Sequence, residues 1–293
     1  MANFDPIVRH IEQATGQSIQ QRQLTSVSGG GINSSYHLKT DSNSYFFKTN
    51  NPNLSAMFEA EAQGLQELAS LNCVRIPDVI GHGKTKEYSY IVIEYIDCHS
   101  LSQASNKILG QQLAQLHQHP QAYFGWHIDN TIGSTPQYND RHHDWIDFLK
   151  RQRMQPQLEF IKQKGFASQL YEKGQQLTAS LDVFFDTYSP QSSLLHGDLW
   201  SGNAAADPLD KPVIFDPACY YGDREADIAM TELFGGFDGD FYRAYHAEYP
   251  LDNGYKTRKI LYNLYHILNH VNLFGGGYAG QASSMIDQLL AEI

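Results

Sequence analysis

The periodicity of the chain changes once, near residue 94, and that change limits the folds open to it. Before it, QLTSVS (23–28), SSYHLKT (34–40), SYFFKT (44–49) and EYSYIVIEYI (87–96) read as short strands, with DSN (41–43) as a turn between the second and third. One segment among them, MFEAEAQGLQELASL (57–71), has helical period instead. After residue 100 the pattern is helical over 104–118, 141–161, 168–188, 225–234 and 256–273, interrupted only by SLL before His196 and by PVIFD (212–216). The expected fold is therefore α+β and bilobal. Residues 1–93 form a small antiparallel β-rich lobe with one key helix, 94–100 a hinge, and 101–293 a larger, mainly helical lobe.

Composition narrows the function. Apolar residues make up 41% of the 293 and charged ones 18%, enough for packed cores and unlike a disordered chain. The net charge is −11, without the basic footprint of a nucleic-acid binder. An anionic ligand must be met locally, by a few placed cations, backbone N–H groups or metal ions. Cys73, Cys98 and Cys219 are scattered with no CxxC, which predicts reduced thiols, no zinc site and a cytoplasmic protein. The first residues, MANFDPIVRHIEQ, carry no apolar signal segment, and runs such as YIVIEYI are too short to span a membrane.

The densest polar motif is LLHGDLWSGN (194–203). Asn203 follows Asp198 by five residues, and Asp216 follows Asn203 by thirteen, at the end of KPVIFD. A strand, a turn and a second strand bring these three to one mouth, a set suited to phosphoryl transfer. One Asp accepts the proton of an attacking hydroxyl, while Asn and the other Asp hold Mg2+ against the phosphates of ATP. Any one of them alone would read as a polar turn residue; the spaced set reads as chemistry. The first lobe offers a check. Such a kinase needs a strand Lys paired to a helix Glu, and Lys48 ends YFFK. In the helix, Met57, Glu61, Gly64, Leu65 and Leu68 share one face, with Glu59, Gln63, Gln66 and Glu67 on the opposite, solvated side. A carboxylate on an apolar stripe is costly unless paired; Glu61 either partners Lys48 or reaches solvent at the stripe's edge. Gly29, Gly30 and Gly31 lie between the first two strands. They are suited to bring backbone N–H groups onto a phosphate, although glycines also make plain hairpins.

Four strings, SLLHGDLWSGN, FDPACYYGDREADIAM, FGWHIDNTIGSTPQ and LNHVNLFGGGY, together resemble the fructosamine kinase (ketosamine 3-kinase) family, relatives of aminoglycoside phosphotransferases with a protein-kinase-like fold. The resemblance runs from about residue 5 to the C-terminus. HGDxxxxN marks the wider phosphotransferase group; HGDLWSGN with its Trp, and FGxxxxNxxGxxPQ, mark the narrower family. The resemblance implies ATP-dependent phosphorylation of the sugar 3-hydroxyl of ketosamines, free or on a glycated protein lysine, as a step in deglycation. It implies Asp198 as base, Asn203 and Asp216 as metal ligands, and Lys48 as phosphate contact with Glu61 as its partner. It also implies a hinge at Val92, Ile93, Glu94 and Ile96 whose backbone holds adenine. Many members carry a Cys in the glycine loop where this chain has Gly31, so redox control through that loop is not expected.

Trp200 either braces the catalytic loop or offers its flat face to a sugar. His270, before NLFGGGY, is a surface or core residue or, as the resemblance suggests, a substrate contact. Asp227 is expected to support the catalytic-loop amides from the start of a helix. HQHP (117–120) and RHHDW (141–145) lack tetrahedral ligand spacing and are expected at helix ends and loops. The acidic surface suits a cationic amine. Two other readings stay open: an aminoglycoside- or choline-type phosphotransferase, and a non-catalytic nucleotide-binding regulator. The second is disfavoured because Lys48, Asp198, Asn203 and Asp216 are all present.

Overall fold

The computed structural model describes residues 3–27, 32–165 and 168–293. Its first third is built on one antiparallel sheet. The chain runs α1 (Asp5–Thr15), β1 (Arg22–Val27), β2 (Ser34–Thr40), β3 (Ser44–Asn50), α2 (Ser55–Ser70), β4 (Val79–Lys84) and β5 (Ser89–Glu94). The strand order is β1-β2-β3-β5-β4, so β5 is central. Period-2 alternation gives the sheet two apolar faces. Tyr45, Phe47, Tyr90 and Val92 face Ile7, Val8 and Ile11 of α1. Ile91 and Ile93 face Phe58, Leu65 and Leu68 of α2 and join the main core. Lys48 pairs with Ile91 in the ladder and so projects from the α2 face.

Two elements were not anticipated here. The α1 segment places Ile7, Val8 and Ile11 on one face within only eleven residues, a stripe too short to stand out. β4, VIGHGK, contains two glycines, which dilute the strand signal. Gly81 is required there by packing, since a Cβ would lie 2.5 Å from His10 Nε2.

Beyond Glu94 the chain runs α3 (Gln103–His117), β6 (Asn130–Ile132), β7 (Thr135–Gln137), α4 (Trp145–Phe148), α5 (Gln155–Gln163), α6 (Ser168–Ala179), β8 (Ser192–Leu195), β9 (Ala204–Ala206), β10 (Pro212–Ile214), β11 (Tyr220–Asp223), α7 (Arg224–Leu233), α8 (Gly239–Glu248), α9 (Tyr255–Phe274) and α10 (Gly277–Leu290). The expected helix over 141–161 begins only after Asp144, whose side chain caps the Asp147 amide, and it widens to a π-helical turn over Leu149–Met154. The expected helix over 168–188 stops at Ala179 and continues as a 3₁₀ turn, Leu181–Phe185. β8 pairs with β11 and β9 with β10. The connecting segment after β5 is stitched to this region: His99 and Ala206 exchange backbone hydrogen bonds of 2.9 and 2.8 Å. No helix among the described residues is long and apolar enough to cross a membrane, and Cys73, Cys98 and Cys219 are all unpaired.

Candidate active site

β8 delivers the chain into the turn His196–Asp198, whose shape is imposed by sterics. Gly197 has φ +80°, and a Cβ there would sit 2.1 Å from the Ala218 carbonyl oxygen. Asp227, in the first turn of α7, accepts from the His196 amide at 2.7 Å and the Gly197 amide at 2.8 Å, as its place at a helix start suggested. Burial pushes the Asp227 carboxyl up, but hydrogen bonding and charge from His117, together with the loop amide, hold it below the ordinary carboxylate value. The His196 ring ties the turn to the next strand. Its Nδ1 accepts from the Asp198 amide at 3.3 Å, which makes Nε2 the donor to the Phe215 carbonyl at 3.0 Å. Burial lowers its pKa, in keeping with a neutral ring.

Asp198 and Asn203 meet across the turn. Asn203 Nδ2 donates to the Asp198 carbonyl at 2.8 Å and to Oδ2 at 3.4 Å. Burial, and then the charge of Asp216, push the Asp198 carboxyl well above its ordinary value, with the Asn203 bond opposing. From the sheet side, Lys48 Nζ lies 2.8 Å from Glu61 Oε1 and also pairs with Asp216. The side chains of Lys48 and Glu61 are 7% and 11% exposed, so each is the other's compensation. Burial alone would lower the Lys48 pKa; the two carboxylates hold it above its usual value.

Lys48, Glu61, Asp198, Trp200, Asn203 and Asp216 line one cleft of about 240 Å³. Its oxygen donors suit a hard divalent cation. Because Asn203 Nδ2 is engaged by Asp198, Oδ1 is the atom left to coordinate; Asp216, 42% exposed, supplies a carboxylate. Among the described residues no cluster of three or more His, Cys, Asp or Glu side chains is spaced to hold a metal. A cation here would draw its other oxygens from water or phosphate, the usual arrangement for Mg2+ beside a nucleotide.

The other expected residues are placed as follows. Gly29, Gly30 and Gly31 lie outside the described residues, though the adjoining Ile32 and Asn33 line the cleft. Val92 and Ile93 belong to the central strand, where both neighbours engage the backbone. That narrows any backbone contact with a base to the segment from Glu94 to Ile96. The Glu94 side chain pairs with Arg75 at 2.7 Å. Trp200 is 38% exposed at the cleft, its ring centroid 6.5 Å from that of Phe234 in an edge-to-face arrangement. Phe234 in turn lies 4.8 Å from His270, which joins Phe274 and Tyr278 in one aromatic group. His270 is thus linked to the cleft through Phe234 and does not line it.

Glu67 requires a correction. It was expected on the solvated side of α2, but it accepts from Trp126 Nε1 at 2.6 Å and from the Tyr221 hydroxyl. Beside it, Gln63 Oε1 lies 2.6 Å from His127 Nε2. The second face of α2 is covered by the 126–127 and 219–221 segments, a long-range packing that helical period does not carry. Gly64 was the available signal: a Cβ there would lie 3.1 Å from Cys219 Sγ.

The family model described as fructosamine kinase matches residues 3–292. The chain is 44% identical to "Probable ketoamine kinase slr1563" of Synechocystis sp., over 99% of this chain and 97% of that protein. It is 43% identical to the chloroplastic protein-ribulosamine 3-kinase of Arabidopsis thaliana, over 98% and 88%. A crystal structure of "Putative fructosamine-3-kinase" from Haemophilus somnus 129PT superposes with a TM-score of 0.89 at 31% identity, covering 97% of this chain and 96% of that one. The ternary complex of aminoglycoside phosphotransferase APH(4)-Ia with AMP-PNP and hygromycin B, at 14% identity and a TM-score of 0.67, shares the kinase-like fold. A strand lysine paired to a helix glutamate, facing an HGD turn that carries its asparagine, is thus found in a chain matched end to end by one family: this protein is a phosphotransferase of the fructosamine kinase family.

Proposed function

We propose that the protein transfers the γ-phosphoryl group of ATP to the 3-hydroxyl of a ketosamine, with Asp198 as the base. The observation that carries this is the convergence of Asp198, Asn203 and Asp216 with the Lys48–Glu61 pair on one cleft. Asp198 takes the proton of the sugar hydroxyl as its oxygen bonds to phosphorus and the bond to the ADP oxygen breaks. Lys48, held by Glu61, contacts the nucleotide phosphates, and Asn203 Oδ1 and Asp216 hold Mg2+, which would neutralise charge on those phosphates. The glycine segment 29–31 is suited by composition to bring backbone N–H groups onto the phosphates. The backbone between Glu94 and Ile96 holds the base, and 94–100 is the hinge between a lobe of residues 1–93 and one of 101–293.

Trp200 offers the sugar an apolar face at the cleft, and His270, through Phe234, sets the angle of that wall. The net charge of −11 accommodates the ammonium of the adduct. Relatives named for ketoamines and ribulosamines support this substrate class, and ribulosamines are expected to be at least as good substrates as fructosamines. Three unpaired thiols suit a reducing, cytoplasmic compartment.

The test is a screen with ATP and Mg2+ against ribulosyl-lysine, fructosyl-lysine and a ribulosylated protein, with kanamycin and choline alongside. Mass spectrometry is expected to show one added phosphate on ribulosyl-lysine, and NMR to place it on O3. Phosphorylation of kanamycin or choline alone would overturn the substrate while leaving the kinase. ATP binding without any transfer would favour a regulator.

A further inference from the structure

The FGWHIDNTIGSTPQ segment (124–137) is not explained by the transfer chemistry, yet β6 and β7 bring its Asn130 and Gln137 against the chain just beyond Asp216. Asp216 has φ +59°, a left-handed conformation that is uncommon for a non-glycine residue, though less costly for Asp than for most, and that its surroundings favour here. The contacts that favour it lie two and three residues on. Gln137 Nε2 donates to the Ala218 carbonyl at 3.1 Å, and Asn130 Nδ2 to the Cys219 carbonyl at 2.8 Å. From the opposite side the Ala218 amide donates to the His196 carbonyl at 2.8 Å.

The two amides are themselves oriented. Tyr265 hydroxyl donates to Gln137 Oε1 at 2.8 Å, so Nε2 must face Ala218 and Asn130 Oδ1, the latter at 2.8 Å. Arg153 donates to Asn139 Oδ1 at 2.8 Å, so Asn139 Nδ2 donates to Asn130 Oδ1 at 3.0 Å and Asn130 Nδ2 is left for Cys219. Arginine only donates and a carbonyl only accepts, so the whole chain of amides has one permitted polarity. All of these side chains are buried, where a lost partner is costly.

We propose that Asn130 and Gln137 are positioning residues for Asp216: their amides pin the Ala218 and Cys219 carbonyls and so hold the left-handed turn that presents the Asp216 carboxylate to the metal. This rests on the reading of Asp216 as a metal ligand.

The test compares Asn130→Asp, Gln137→Glu, Tyr265→Phe and Asp216→Ala with the wild-type protein. It measures Mn2+ binding with AMP-PNP by electron paramagnetic resonance of free Mn2+, amide hydrogen exchange over 216–219, and KM for the ketosamine. Asn130→Asp and Gln137→Glu are expected to weaken Mn2+ by about 10–100-fold, as loss of a ligand-orienting partner does. They should also speed exchange at Ala218 and leave the ketosamine KM near the wild-type value. Tyr265→Phe keeps the core shape and should shift the same readings less, so it decides the matter if the charged variants do not fold. Wild-type Mn2+ affinity in a folded variant, or a raised ketosamine KM with Mn2+ binding unchanged, would overturn the proposal. If Asp216→Ala itself leaves Mn2+ binding intact, the metal assignment of Asp216 fails, and the clamp is then judged by the 216–219 exchange alone.

Discussion

Asp198 and Lys48 do different work, and substitution should separate them. In the proposed reaction Asp198 meets the hydroxyl and not the nucleotide. Asp198→Asn is expected to lower kcat by about 10²–10⁴-fold, while the affinity for ATP, measured by calorimetry, stays close to wild type. A variant within a few-fold of wild-type turnover would remove Asp198 from the role of base. Lys48→Ala should act on both quantities, because the ammonium that meets the phosphates is also the compensation for Glu61. Burial already raises the Glu61 pKa and Lys48 opposes that rise. With Lys48 gone that opposition is lost, burial and Asp216 push the Glu61 carboxyl higher still, and it no longer orders the site. Nucleotide affinity and turnover falling together is the expected result. The residue types of this set were legible in the string HGDxxxxN and in the apolar stripe around Glu61. The hold of Asp227 on the His196 and Gly197 amides was legible as well, since it follows from a helix N-terminus.

At the scale of elements, α2 is the piece whose surroundings matter most. It carries Glu61 towards the sheet and Glu67 towards Trp126 and Tyr221, so one helix is fastened on both sides. Glu67→Ala leaves a buried indole N–H without its acceptor, a loss of about 1–3 kcal/mol. Chemical denaturation should show that cost, and nucleotide affinity should fall with it as the Lys48–Glu61 pair loosens. Unchanged stability would mean that the helix is held by apolar packing alone. The turn after β8 gives a sharper case. Gly197→Ala combines φ +80° with a Cβ 2.1 Å from the Ala218 oxygen. Turnover is expected to disappear even in the folded fraction, because the displaced segment carries Asp216 two residues away.

At the scale of the whole molecule, histidines held neutral by burial make a contribution to stability that is lost in acid. Burial first, then His270 and Arg153, lower the His266 pKa to about 3, with Asp227 opposing. The unfolded chain takes up this proton as pH falls below about 6.5, whereas the folded chain does not until about pH 3. The stability contributed by His266 is therefore lost on acidification through that window, by up to about 1.4 kcal/mol per pH unit. The buried carboxyls of Asp198, Asp223 and Glu225, raised by burial, contribute with the opposite sign, so the test is a difference: between pH 7 and pH 5 the melting temperature of His266→Gln should lose less, or gain more, than that of the wild-type protein. An equal slope in the variant would show that other groups govern it. His10, His196 and His270 are lowered in the same direction and contribute with the same sign.

The sequence by itself determined the α+β class and the residue types gathered at the cleft, but not α8 or α10, which its helical pattern did not mark. Those properties live in short-range pattern: alternation in SYFFKT, a stripe in α2, and fixed spacings from Asp198 to Asn203 and Asp216. The short α1 and glycine-bearing β4 fell below that pattern's resolution, and the widened turn at Leu149–Met154 broke a helix that periodicity drew as continuous. Only the tertiary structure decided which polar side chains face one another across the fold. Asn130 reaches Cys219, Gln137 reaches Ala218, and Glu67 reaches both Trp126 and Tyr221, partners separated by tens of residues. A buried amide or carboxylate must find its partner, but local period carries no record of which distant segment supplies it.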